Sequence, residues 1–198
     1  QPVLRQQGTY LITGGLGNIG LLIAQFLVQK VDANVVLLAR SHFPEMDEWA
    51  NYLAEHNADD PTAIKIKRLQ AIQNIGGNLL ILRGDVCNRK EMTQGLALIQ
   101  TRFGKLHGVF HGAAASADNT FLSVTETTPE SAEAILAAKT QGVIVLDEVL
   151  ASRQLDFCIL LSSLAAVLGG MGFYAYAGAN GFMDRFAQQH NQHSEIPW

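Results

Sequence analysis

The chain has 198 residues, 48% of them hydrophobic and 16% charged, a length that fits one domain with a buried core. Its net charge of −4, from 14 Lys and Arg against 18 Asp and Glu, argues against a general nucleic-acid binder, because neutralising phosphates needs clustered cations. No apolar run approaches the roughly 20 residues of a membrane span, and the polar opening from Gln1 to Gly8 does not read as a secretory signal.

The first predicted element is a β-branched strand from Thr9 to Thr13. Ile19 to Val31 follows with apolar residues at helical spacing, notably Ile19, Leu22, Ile23, Phe26 and Leu27. Asn34 to Leu38 is a second strand. Its contiguous Val35, Val36, Leu37 and Leu38 suit a parallel strand covered on both faces. Ser41 to Ile75 is too long for an ordinary connection. It holds one helical pattern around Trp49 and Leu53 and a second from Thr62 to Ile75, closed by Gly76-Gly77. The break between them, Asn57-Ala58-Asp59-Asp60-Pro61, is a turn and helix-start signal. Lys65-Ile66-Lys67-Arg68 is the one dense basic group and reads as a solvated helix face.

Leu79 to Leu82 is a third strand, Val109-Phe110-His111 a fourth and Phe157 to Leu161 a fifth. One helix from Pro129 to Ser152 is expected between the last two, with Pro129 suited to its first position. A Gly-rich loop, Gly169-Gly170-Met171-Gly172, leads to a final helix from about Tyr174 to Asn191. The alternation predicts an α/β, Rossmann-like, doubly wound parallel sheet with flanking helices and a helical insertion between strands two and three. Glu195-Ile196-Pro197-Trp198 falls where a further strand is expected, so residues 1–198 read as part of a longer polypeptide. Cys87 and Cys158 fit neither a metal-ligand spacing nor a disulfide framework. No metal site is therefore expected, Cys158 reads as a core filler, and a reduced, cytoplasmic setting is the default.

Two groups of residues carry chemistry. Thr13-Gly14-Gly15-Leu16-Gly17-Asn18-Ile19-Gly20 joins the first strand to the first helix and contains a Gly-x-Gly-x-x-Gly stretch. Glycines there permit a tight turn and let backbone amides approach a pyrophosphate at a helix N-terminus. The second strand ends in Leu38-Ala39-Arg40-Ser41, without the carboxylate that would hold a ribose 2′-hydroxyl. Arg40 suits a 2′-phosphate instead. Asp85 reads either as an adenine contact or as a helix N-cap. At the other end of the chain stand Ser163, Tyr176, Asn180 one helical turn later, and the distant Lys139. Two hydroxyls can hydrogen-bond a ketone oxygen, and an ammonium lowers the cost of ionising a phenol. Tyr174 competes with Tyr176 for that role.

These residues resemble the short-chain dehydrogenase/reductase superfamily, and more narrowly the ketoreductase domain of modular type I polyketide synthases and related fatty acid synthases. Thr13 to Gly20 is similar to that family's nucleotide turn, and Asp85-Val86 to its adenine-side dipeptide. His107 to Ala114 is similar to the strand lining the cofactor, ending in Ala113 and Ala114. The wider superfamily places its lysine on the tyrosine's own helix. Here Tyr176-Ala177-Gly178-Ala179-Asn180 carries asparagine at that place, and Lys139 sits on the preceding helix, as in synthase ketoreductases. The resemblance implies NADPH as cofactor and reduction of a β-ketoacyl thioester borne on an acyl carrier protein, with other synthase domains in the same polypeptide. It implies Tyr176 as proton donor, Ser163 as its partner on the carbonyl oxygen, Lys139 as electrostatic support and Asn180 as a site-ordering residue. It also implies that residues 1–198 form the catalytic half of a larger ketoreductase domain. A free-standing short-chain alcohol dehydrogenase and a catalytically silent scaffold module are the alternatives. One stereochemical group of synthase ketoreductases carries Leu-Asp-Asp where this chain has Ala115-Ser116-Ala117-Asp118-Asn119. The other carries a tryptophan where this chain has Leu168.

Overall fold

The computed structural model describes residues 4–115 and 122–198. Five strands, β1 (Thr9–Thr13), β2 (Asn34–Ala39), β3 (Asn78–Arg83), β4 (Gly108–His111) and β5 (Phe157–Leu160), form one parallel sheet in the order β3-β2-β1-β4-β5. The chain winds outward from β1 through β2 to β3, then returns to the other side of β1. The order reverses between β1 and β4, where Thr13 is paired with His111. In open α/β sheets the crevice beyond the strands' carboxyl ends at such a reversal is the ligand site.

Side-chain alternation divides the core between two faces. Tyr10 and Ile12 of β1 pack with Leu21 and Leu27 of α1 (Asn18–Val31) and with Ile66 and Leu69 of α3 (Pro61–Asn74). Leu11 faces the opposite way, onto Met92, Leu96 and Ile99 of α4 (Arg89–Phe103) and Val145 and Leu146 of α6 (Gln141–Leu150). Every residue of β1 is buried, as a strand covered by helices on both faces requires. Each such Leu or Ile contributes about 1.5–3 kcal/mol by leaving water.

The insertion after β2 resolves into α2 (Trp49–Glu55) and α3. Because α3 packs on α1, it is itself the crossover to β3, and the added segment is α2 with its flanking loops. Asp60 caps α3 by accepting from the amides of Thr62 and Ala63 at 2.9 and 2.8 Å, with Pro61 at the first helical position. Gly76, at φ 95°, follows its end.

Besides α4, which is not among the elements expected above, two further elements depart from the expected plan. The single helix expected from Pro129 to Ser152 is broken into α5 (Pro129–Ala137) and α6 by a turn over residues 138–140. The turn coincides with a tertiary hydrogen bond from His111 Nε2 to the carbonyl of Ala138, at 3.0 Å. A short helix α7 (Ala165–Leu168) also fills the connection from β5 to α8 (Tyr174–His190). Beyond these, the amide of Cys158 donates to the carbonyl of Pro197 at 2.8 Å, on the outer edge of β5. Among the described residues no helix is long and apolar enough to cross a membrane.

Candidate active site

Gly15 and Gly20, in the turn after β1, have no room for a side chain. A Cβ on Gly15 would stand 2.8 Å from Leu37 Cα, and one on Gly20 would stand 2.7 Å from the carbonyl oxygens of Gly14 and Gly15. Gly14 takes φ 68°, a left-handed conformation favouring glycine. Gly17 precedes α1 in extended conformation, and no side chain caps the helix. The first-turn amides of α1 are thus left for an outside acceptor, and the helix dipole favours an anionic one.

Beyond this turn lies an open groove of about 470 Å³, within the range of small-molecule sites. Gly14, Leu16 and Gly17 line it from the turn, Gly112 to Ala115 from the loop after β4, and Arg40 and Ser41 from the end of β2. Asp85 and the buried Val86 close its far side. Arg40 is exposed and makes no ion pair with any described residue. Asp85 is not a helix N-cap. That place belongs to Asn88, whose Oδ1 accepts from the amides of Lys90 and Glu91, while Asp85 accepts from the amide of Cys87 at 2.9 Å. Two side chains of the turn, those of Asn18 and Ile19, serve otherwise than by lining the groove. Ile19 is 63% exposed on α1. Asn18 accepts from Arg68 of α3 through its side chain at 3.1 Å and its carbonyl at 3.4 Å. Thr13 does line the groove, yet it is fully buried and its hydroxyl is committed at the groove floor.

That commitment involves a histidine the sequence reading had placed only within the strand. His111 is fully buried at the end of β4. Its Nε2 faces the carbonyl of Ala138, which only accepts, so Nε2 carries the proton. Nδ1 then accepts from the Thr13 hydroxyl at 2.7 Å, and that oxygen in turn accepts from the amide of Ala113 at 3.3 Å. Burial, assisted by the nearby charge of Lys139, pushes the imidazole pKa down to about 4. A neutral ring therefore ties β1, β4 and the turn before Lys139 into one frame. Its signal in the sequence was a lone polar residue in an apolar strand.

Lys139 follows directly on Ala138. It is 3% exposed, and Nζ donates to the carbonyl of Leu161 at 3.1 Å, at the end of β5. The ammonium lies 5.7 Å from the ring centroid of Tyr176. Burial pushes its pKa down to about 8, against a partial upward pull from Asp184. Tyr174, 41% exposed, has no comparable neighbour, so Tyr176 is the tyrosine the cation attends. Asn180 is fully buried. Its Nδ2 donates to the carbonyl of Tyr176 at 2.7 Å, and its Oδ1 has no partner among the described residues. Ser163 Oγ accepts from the amide of Ala165 at 3.2 Å, which leaves its own proton free to donate. Leu168, in the other group's tryptophan position, is 78% exposed. Asp118 lies outside the described residues.

Glycine groove and polar cluster thus share the carboxyl edge of the sheet, held by β1, β4 and β5. A family model for the KR domain matches residues 8–196. The 6-methylsalicylic acid synthase of Aspergillus terreus is 36% identical over 184 residues, which are 92% of this chain and 10% of that protein. Polyketide synthase PksM of Bacillus subtilis is 34% identical over 189 residues, 96% of this chain and 4% of that protein. The chain thus spans a tenth or less of the curated relatives it matches. Among solved structures, a ketoreductase domain from the bacillaene assembly line is 31% identical with TM-score 0.82, covering 97% of this chain and 41% of that one. An N-terminal ketoreductase from the macrolactin assembly line is 32% identical with TM-score 0.80, covering 98% and 36%.

Proposed function

The chain belongs to the KR domain family, the ketoreductases of polyketide synthases within the short-chain dehydrogenase/reductase superfamily, and we propose that it uses NADPH to reduce a β-ketoacyl thioester on an acyl carrier protein to the β-hydroxyacyl thioester. The observation that carries this reading is the buried Lys139 ammonium beside Tyr176. A lysine is rarely buried without a task, and here it faces the one side chain whose ionisation it would ease.

The groove fits a nicotinamide dinucleotide. The Gly14–Gly20 turn, closed to a Cβ at Gly15 and Gly20 and opening on an uncapped helix, would hold the pyrophosphate. Arg40 and Ser41 would receive the 2′-phosphate, and Asp85 and Val86 would meet the adenine. When bound, the cofactor supplies the hydride.

The protein's own residues govern the oxygen. As the ketone oxygen gains negative charge, the Tyr176 hydroxyl gives it a proton. The Ser163 hydroxyl, whose proton is uncommitted, donates to the same oxygen. Lys139 stabilises the phenolate left behind, since a phenol of pKa near 10 gives up its proton reluctantly at neutral pH. The orphaned Oδ1 of Asn180 accepts from a water that returns a proton towards this cluster. A buried acceptor without a partner costs about 1–3 kcal/mol, so such a water is favoured.

The test is NADPH consumption with a β-ketoacyl chain on its carrier protein, beside the same ketone free in solution. Faster turnover of the carrier-bound ketone, with two hydrogens added to the product, supports the reading. Equal or faster turnover of the free ketone would make this a small-ketone reductase. NADPH binding without turnover of either would make it a silent module.

A further inference from the structure

The basic group Lys65-Ile66-Lys67-Arg68 was expected to be a solvated face, and the fold places it otherwise. Ile66 is fully buried against the sheet, which fixes the rotation of α3. Lys67 is exposed, whereas Lys65 and Arg68, three residues apart on one side, are both half-buried. Arg68 spends its guanidinium on Asn18 in the glycine turn. Lys65 instead lines the groove, in company with Arg40, Ser41, His42 and Thr62.

No described carboxylate neutralises it. Lys65 has no ion pair and no hydrogen bond among the described residues. Asp60, at the start of the same helix, is occupied by the amides of Thr62 and Ala63 and by the Tyr52 hydroxyl at 3.3 Å. Asp85, the one carboxylate lining the groove, holds the Cys87 amide. Two free cations from separate elements therefore face one cleft, an arrangement that repels itself until an anion arrives.

We propose that Lys65 is the second cation, with Arg40, of the site that receives the 2′-phosphate of the adenosine half of NADPH. This rests on the nicotinamide reading above and names a residue that sets its specificity. The two cations are complementary. Arg40 offers a planar fork for two phosphate oxygens, and Lys65 a compact point charge for the third. Thr62 and Ser41 add hydroxyl donors on the same wall.

Binding of 2′,5′-ADP and of 5′-AMP, followed by calorimetry, tests this without turnover. Wild type should bind 2′,5′-ADP more tightly than 5′-AMP. Lys65→Gln should weaken 2′,5′-ADP about tenfold, equivalent to about 1.4 kcal/mol, and leave 5′-AMP within about twofold. Lys65→Arg should keep most of the preference. If wild type itself does not prefer 2′,5′-ADP, the NADPH reading falls and this inference with it. If wild type discriminates, Arg40→Ala loses the preference and Lys65→Gln keeps it, only the role of Lys65 is wrong. Equal weakening of both nucleotides would show that Lys65 supports the fold and not the phosphate.

Discussion

The Lys139 ammonium stands 5.7 Å from the Tyr176 ring centroid while donating to Leu161 at 3.1 Å, so one buried cation joins the end of β5 to the helix bearing Tyr176. The two residues come together because α5 and α6 break at residues 138–140. The break directs Lys139 inward, and His111 holds the carbonyl of the residue before it.

The position of Lys139 has a pH consequence. Its folded-state pKa of about 8 lies below the ordinary 10.5. The ammonium that supports Tyr176 is thus complete below pH 8 and is lost as pH rises through that value. Reduction should fall on the alkaline side of about pH 8, and Lys139→Met should remove that limb while lowering the rate by about two decades. The sign for stability is opposite. Holding a buried ammonium is a cost that is full below pH 8 and relieved between 8 and 10.5. Lys139→Met should therefore melt no lower than wild type at pH 7, even though it is nearly inactive. Thermal melts and pH–rate profiles of the two proteins check both halves.

His111 gives a second pH dependence. The folded chain keeps this ring neutral down to about pH 4, whereas the unfolded chain protonates it near 6.5. Its contribution to stability is full above 6.5 and is lost as pH falls towards 4. At 1.36 kcal/mol per pKa unit the loss is on the order of 3 kcal/mol. Urea unfolding at pH 7 and pH 5, with the His111 ring resonances followed by NMR, should show falling stability with a ring still neutral at pH 5.

The glycine turn is predicted to be intolerant. In Gly20→Ala the new Cβ would meet the backbone oxygens of Gly14 and Gly15 at 2.7 Å, and backbone cannot rotate away as a side chain can. The expected cost is about 1–3 kcal/mol, with loss of dinucleotide binding because the turn must open. Urea unfolding and fluorescence titration with NADPH measure the two effects separately. Wild-type stability and affinity would show that the turn yields more readily than its packing indicates.

Much of the fold was legible because its strands are covered on both faces. Val35-Val36-Leu37-Leu38 is a continuous apolar run, and all four residues are buried. Asp60-Pro61 and Gly76-Gly77 bracketed α3 correctly, since caps are local signals. The break near Lys139 is faint in the sequence, because no proline marks it, Gly142 follows only inside α6, and the His111 bond that accompanies it comes from a distant strand. For α4, the spacing of Met92, Leu96 and Ile99 is a helical signal in the sequence, and these are the residues the helix buries. The half-burial of Lys65 beside the groove is hidden for the same kind of reason. A run of cations reads as solvent-facing until the burial of Ile66 fixes the rotation of its helix. The roles of Thr13 and Arg68 likewise depend on partners far away in the chain.

Arg40 should decide between the two nicotinamide cofactors. Replacing it with Asp puts a carboxylate where a 2′-phosphate would lie, repelling NADPH and offering an acceptor to the 2′-hydroxyl of NADH. The ratio of kcat/KM for NADPH to that for NADH should reverse. An unchanged ratio would mean that Arg40 faces solvent and that selection lies with Ser41 and Lys65.

The most direct test of the account is turnover of a carrier-bound β-ketoacyl thioester by wild type and by Tyr176→Phe, with NADPH affinity measured on the same samples. The ring of Phe fills the same space, so affinity should stay within about twofold, whereas loss of the general acid should lower turnover by roughly two to four decades. A Tyr176→Phe protein that turns over within about threefold of wild type, judged against that same range, would remove Tyr176 from the chemistry and contradict the proposed role of Lys139 beside it.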